Sequence, residues 1–128
     1  MEHKVQDAID ELRAAFPKNK VLLRDDGEGG AYVIVEGLSP GPQYTPTTVW
    51  IGFRITFQYP YADVYPHFVD GSLRRNDGRE LGEAMAPGQT FEGRPAVQIS
   101  RKTNRPSVKA DTAARKLLRV LAWLRNRT

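Results

Sequence analysis

The chain has 128 residues, about the size of one ordinary domain, and it contains no cysteine. The missing thiols exclude a disulfide framework, a zinc site built on cysteine and a cysteine nucleophile. The net charge of +4 is unevenly spread, because residues 101–128 hold nine Lys/Arg and a single acidic residue, Asp111. A basic end of this kind fits a solvated surface, an acidic protein partner or nucleic acid.

No apolar segment approaches the roughly 18 to 20 residues needed to span a bilayer, and the first fifteen residues are too charged for a signal peptide. We therefore expect a soluble, cytoplasmic protein that forms one domain over residues 1–128, without membrane contact. We also expect no cofactor and no metal. The glycine-rich segment 27–30 lacks the Lys-Ser/Thr of a phosphate loop, and the carboxylates lie in turns, where they favour backbone hydrogen bonds.

The first predicted element is an amphipathic helix over residues 2–16. Its apolar residues recur at the spacing of one helical face: Val5, Ile9, Leu12 and Phe16. Pro17 ends the helix, because the residue before a proline is pushed out of the helical region.

Strands are predicted next over residues 20–24, 31–35 and 49–57, with a short fourth strand over 67–69. In the third strand, alternate residues share one face: Val49, Ile51, Phe53, Ile55 and Phe57. The short connections favour an antiparallel meander, because parallel pairs need long crossovers.

Residues 70–94 contain five glycines and no apolar periodicity, which predicts a long irregular loop of the functional or mobile kind. A second helix is predicted to begin near Asp111 as its N-cap. Its apolar stripe is Ala114, Leu117, Leu118, Leu121 and Leu124. The order of helix, about four antiparallel strands, long loop and helix predicts an α+β fold.

The third strand and its continuation resemble the ubiquitin-conjugating (UBC) family. In that family the third strand ends in Tyr-Pro, and further prolines lead into the fourth strand. Here Tyr59-Pro60 follows the longest predicted strand, and Pro66 precedes the short one.

A second motif of this family covers its active site. The family carries His-Pro-Asn, then seven residues, then the catalytic cysteine, with a glycine three residues before the cysteine. This chain reads Ala86-Pro87-Gly88, then QTFEGRP, then Ala96, so that the proline and Gly93 match without a gap. The resemblance covers roughly residues 3–125, is closest to the compact bacterial members, and implies a UBC-like fold.

The resemblance implies a carrier in a bacterial ubiquitin-like conjugation pathway, a kind of system often encoded in anti-phage defence operons. The family's cysteine accepts the C-terminus of a ubiquitin-like protein from an activating enzyme as a thioester and passes it to an amine. Position 96 marks the nucleophile slot, and Ala86, Pro87 and Gly88 mark the loop that shapes it. Alanine is no nucleophile, and Gly88 lacks the side-chain donor that would support the oxyanion.

Two explanations of Ala96 stay open at this point. It is either an engineered replacement of a catalytic cysteine or part of a natural non-catalytic variant that binds a ubiquitin-like protein. As a third alternative, the basic end would bind nucleic acid. This alternative is the weakest, because Trp123 is the only aromatic residue beyond residue 100 and base stacking has little support.

The resemblance further implies partner-binding residues. A family member meets its activating enzyme through the outer face of the first helix, here Lys4, Asp7, Glu11 and Arg13. Basic and polar residues just beyond position 96 would border the path of the acceptor or of the ubiquitin-like tail. They are Arg101, Lys102, Asn104 and Arg105. His67 is a weak candidate for a base near the active site, and a structural role for it is favoured.

Overall fold

The computed structural model describes residues 1–104, 107–109 and 111–128, which form two α-helices and eight β-strands. In chain order the elements are α1 (His3–Ala15), β1 (Val21–Asp25), β2 (Ala31–Leu38), β3 (Tyr44–Thr45), β4 (Val49–Ile55), β5 (His67–Asp70), β6 (Arg74–Arg75), β7 (Met85–Phe91), β8 (Arg94–Ile99) and α2 (Ala113–Arg125). The predicted α+β class, with a helix at each end of an antiparallel sheet, is confirmed.

The main sheet has six strands in the spatial order β1-β2-β4-β5-β8-β7, and β3 pairs with β6 in a small second sheet. The predicted meander corresponds to β1, β2, β4 and β5, in which each neighbouring pair is antiparallel. The predicted number of about four strands is too low, because β8 and β7 extend the sheet beyond β5.

The predicted irregular loop over residues 70–94 is wrong for much of its length, because it contains β6 and β7. The sequence of β7 does not alternate, and it includes Pro87, which cannot donate to a β-ladder. The register shifts between Ala86 and Gln89, and this bulge accommodates Pro87 and Gly88 while pairing continues on both sides. At the end of β7 the chain turns through residues 92 and 93, both with positive φ, as in the tight turns that suit hairpin twist.

Both helices pack on one face of the sheet, which we call the inner face. The helix residues buried there include the predicted stripe of α1, and for α2 they are Ala113, Ala114, Leu117, Val120, Leu121 and Leu124. Leu118 was predicted to be part of this stripe, but it is exposed. The helix also begins later than predicted, with Thr112 as the N-cap that accepts the Arg115 N–H at 3.3 Å. The carboxylate of Asp111 instead accepts hydrogen bonds from the guanidinium of Arg119 and from the N–H of Ser107.

β4 ends at Ile55, two residues earlier than predicted, and this moves Phe57 off the inner face. A turn begins at Thr56, whose carbonyl accepts the N–H of Tyr59 at 3.0 Å. The side chain of Phe57 is consequently 58% exposed instead of buried. The other four residues of the predicted alternation are buried in the core.

Candidate functional site

The predicted nucleophile slot, Ala96, lies in β8 on the outer face of the sheet, which carries no helix. It is paired with Asp70 of β5 on one side and Gln89 of β7 on the other. Its side chain is 2% exposed and belongs to a second apolar cluster, the outer-face cluster, with Ile34, Trp50 and Phe91. Reactive cysteines are typically partly exposed, and this position is not.

Phe91 covers this part of the outer face. The β7–β8 hairpin brings its ring centroid to 4.9 Å from that of Phe68, 6.1 Å from Tyr32 and 6.3 Å from Trp50. Gly52 provides the space, because a Cβ at this position would lie 2.4 Å from an atom of the Phe91 ring. The end of the hairpin therefore folds across the sheet and packs on it.

Two ion pairs hold the hairpin turn against the far strands. Arg24 of β1 donates to the carboxylate of Glu92 in a bidentate pair, at 2.6 and 2.9 Å. This pair lowers the pKa of Glu92. Arg94 donates to Glu36 of β2 at 3.1 Å. The segment that the resemblance assigns to an active-site loop is thus a hairpin fastened at its turn.

The three residues at the His-Pro-Asn-like position are exposed on β7, the edge strand of the sheet. Pro87 also lines a cavity of about 700 Å³ whose apolar walls include Leu73, Leu81, Met85 and Val97. Ala96 does not line this cavity, and its cross-strand neighbour is Gln89. The structure places the two parts of the motif on adjacent strands, with the slot enclosed and the residues at positions 86–88 on the surface.

His67 lies on the inner face in β5 and is fully buried. Its ring is 5.1 Å from that of Phe53, and neither ring nitrogen has a hydrogen-bond partner among the described residues. Burial, and secondly the charge of Lys116, lower the pKa of His67 to about 3. A general base has to reach its substrate, so His67 is a core residue and is removed from the candidate site.

The predicted residues beyond position 96 lie on the α2 side of the molecule. The guanidinium of Arg101 lies 5.2 Å from the ring centroid of Trp123, and Lys102 and Asn104 are exposed. Arg105 lies outside the described residues. Arg101 and Lys102 line a depression of about 90 Å³ that shares no residue with the outer-face cluster.

Of the four partner-binding residues predicted on α1, only Lys4 lines a groove. Asp7 lies 3.4 Å from a histidine one turn earlier in the helix. Glu11 accepts the hydroxyl of the residue that caps α2, at 2.6 Å. Arg13 is exposed.

The groove beside Lys4 has a volume of about 620 Å³ and separates the start of α1 from the segment after β4. Its walls carry Phe57 and Tyr61, which at 58% and 70% are the most exposed large apolar side chains among the described residues. The ammonium of Lys4 lies 4.9 Å from the Tyr61 ring centroid. Between them, Tyr59 is buried, and its hydroxyl accepts the N–H of Ala113 at 3.1 Å, which ties this segment to α2.

The sequence pattern does not predict that either aromatic residue of the groove is exposed. Phe57 continues the alternation of the preceding strand, and its exposure depends on a strand end that the pattern does not mark. Tyr61 follows directly on the Tyr59-Pro60 motif. Three tyrosines in a segment with two prolines were a usable signal, because aromatic residues outside regular structure are candidates for surface contacts.

Comparison of the chain with protein-family models, with curated proteins and with solved structures gives no match. Among the described residues, no three His, Asp or Glu side chains are grouped so that they could hold a metal ion. Neither of the two described helices is long and apolar enough to cross a membrane.

Proposed function

We propose that this chain is a non-catalytic UBC-like module that binds a ubiquitin-like protein in a bacterial conjugation pathway. The order of helix, meander, Tyr59-Pro60 and C-terminal helix supports the UBC-like fold. The observation that carries the non-catalytic role is the enclosure of Ala96 in the outer-face cluster.

A carrier thiolate has to be reached first by the C-terminus of the ubiquitin-like protein and then by an amine. At position 96, paired strands on both sides and the Phe91 ring in the same cluster surround the side chain. Gly88 offers no side-chain donor for an oxyanion, and Ala86 offers no imidazole. The histidine, asparagine and cysteine side chains of the family motif are therefore all absent at positions 86, 88 and 96. Their absence fits a protein that binds without transferring an acyl group.

The contact surface in this proposal is the groove of Phe57 and Tyr61. Aromatic side chains exposed together are typical of protein interfaces, where a few such anchors supply most of the binding energy. Lys4 lies at the groove and supplies a cation for an acidic residue of the ubiquitin-like protein, although the resemblance implies this residue as a contact of the activating enzyme.

Binding is tested by titration calorimetry with a ubiquitin-like protein of a bacterial conjugation pathway. We expect Phe57→Ala and Tyr61→Ala each to weaken binding by roughly tenfold or more, because truncation of an aromatic anchor costs about 2 kcal/mol. Tyr65→Ala is the matched control, since Tyr65 is also an exposed tyrosine but does not line the groove. Equal losses in all three variants would contradict the assignment of the groove.

Transfer is tested with Ala96→Cys, the ubiquitin-like protein, the activating enzyme and ATP. If the chain is a non-catalytic module, we expect it to bind the ubiquitin-like protein but to form no thioester adduct that a reducing agent cleaves. Such an adduct would establish the carrier function, with position 96 as a working nucleophile slot. Loss of both binding and adduct formation would contradict the family resemblance itself.

A further inference from the structure

β1 is an edge strand, and two hydrogen bonds show which of its backbone groups face β2. Just outside its ends, Glu36 donates to the carbonyl of Lys20 at 2.9 Å, and Asp26 donates to that of Gly30 at 3.1 Å. The register between these bonds is continuous. In an antiparallel ladder, alternate residues bond to the same neighbour, so the even-numbered residues of β1 direct their N–H and C=O towards β2.

The odd-numbered residues, Val21, Leu23 and Asp25, consequently direct their N–H and C=O away from the sheet. Within the described residues β1 pairs only with β2, so no strand occupies this edge. The opposite edge, β7, is blunted by Pro87 and a bulge, whereas β1 has neither. An edge without such protection is a template for another strand.

The sequence around β1 is self-complementary in an antiparallel arrangement. Exposed lysines precede the strand at Lys18 and Lys20, and exposed carboxylates lie at its last residue, Asp25, and beyond it at Glu28. Asp25 also pairs with the N-terminal ammonium and Glu28 with Arg54, but both carboxylates keep more than half of their surface exposed. Between the lysines and the carboxylates lie Val21, Leu22 and Leu23 and then Arg24, whose guanidinium pairs with Glu92 of the same chain. Leu23, the middle residue of β1, is 36% exposed. Antiparallel pairing with an identical segment places the basic end of each copy against the acidic end of the other.

We propose that β1 is the interface of a homodimer, in which β1 of one copy pairs antiparallel with β1 of a second copy about a two-fold axis at Leu23. The three odd-numbered residues of each strand then donate and accept one hydrogen bond each. Leu23 meets its own counterpart as an apolar cross-strand pair. Lys20 of one copy lies diagonal to Glu28 of the second copy, whose side chain is 72% exposed. The two six-stranded sheets then join into one.

Sedimentation velocity over a range of concentrations tests the dimer. We expect a species of twice the 14.4 kDa chain mass that dissociates on dilution. Leu23→Lys places two like charges opposite each other at the axis, and we expect it to weaken association by roughly tenfold or more. Leu118→Lys changes an exposed leucine on α2 and should leave association unchanged. Circular dichroism checks that both variants are folded.

Hydrogen exchange gives an independent measurement on the same samples. In the dimer, the amides of Val21, Leu23 and Asp25 should be protected, and they should lose protection on dilution or in Leu23→Lys. The amides of Leu22 and Arg24 bond to β2 and should stay slow in both states. A monomer at every concentration would overturn the proposal, as would a dimer that is insensitive to Leu23→Lys or equally sensitive to Leu118→Lys.

Discussion

At the scale of single residues, the burial of His67 has the clearest effect on the free energy of unfolding, because it makes that free energy depend on pH. Both ring nitrogens are buried and have no hydrogen-bond partner in the part of the chain that the structure describes, and burial lowers the pKa to about 3 from an ordinary value of 6.5. Because the folded protein binds this proton less readily than the unfolded chain, the contribution to stability is complete above pH 6.5. It is lost progressively as the pH falls towards 3, by about 2 kcal/mol at pH 5.

We expect His67→Leu to remove this part of the pH dependence. Leucine takes away the unpaired polar atoms, so the free energy of unfolding at pH 7 should be unchanged or higher. Urea unfolding at pH 7 and pH 5 measures the difference. His3→Leu is the matched control, because His3 is the other histidine of the chain and is exposed. A loss between the two pH values that is equal in wild type and His67→Leu would contradict the assignment.

Gly52 is the second residue with a specific prediction. A methyl group there would overlap the Phe91 ring, so Gly52→Ala should destabilise the fold by about 1–3 kcal/mol through overpacking. In the background of Phe91→Ala the same change should cost much less, because the overlapping ring is gone. A double-mutant cycle measures this coupling. Additive effects would show that the hairpin does not pack on Gly52.

At the scale of elements, Lys116 joins α2 to two other segments. Its ammonium donates to both carboxylate oxygens of Asp63 at 3.0 Å and to the hydroxyl of Thr103 at 2.7 Å. Asp63 also accepts the N–H of Thr103 at 2.6 Å. Both charged side chains are nearly buried. The ion pair therefore links α2 to the segments that contain Asp63 and Thr103.

Lys116→Met should cost about 3–5 kcal/mol in the free energy of unfolding, because it leaves the buried Asp63 carboxylate without its cation. Replacement of both partners, in Lys116→Met with Asp63→Leu, should recover part of this loss. Lys102→Met is the control on an exposed lysine and should stay within about 0.5 kcal/mol. A small effect of Lys116→Met would mean that water reaches the carboxylate.

The elements differ in how far the sequence predicts them. The helices and the strands β1, β2, β4 and β5 have apolar patterns of the right period and lie within a few residues of their predicted bounds. β7 has no such pattern, since Pro87 and Gly88 lie in its bulge. Its pairing with β8 depends on residues elsewhere in the sheet that make room for Phe91, which a local pattern does not contain.

At the scale of the whole molecule, the candidate site depends on contacts between distant parts of the chain. Motif spacing gives position 96 its proposed role, but it carries no information on which sheet face the residue occupies. Enclosure of that residue requires Gly52 beneath Phe91, and the Arg24–Glu92 pair joins residues 68 positions apart. The groove of Phe57 and Tyr61 likewise requires the packing of α1 beside the segment after β4.

The central claim is that position 96 is closed in the folded protein, and thiol reactivity measures this without any partner. Because the chain has no cysteine, Ala96→Cys contains a single thiol, and Ala86→Cys gives an exposed control on β7. We expect the thiol of Ala96→Cys to react with a maleimide roughly a hundredfold more slowly than that of Ala86→Cys, since it reacts only after local opening. In denaturant the two rates should converge. Equal rates in the native protein would contradict the closed site and restore the carrier as the favoured function.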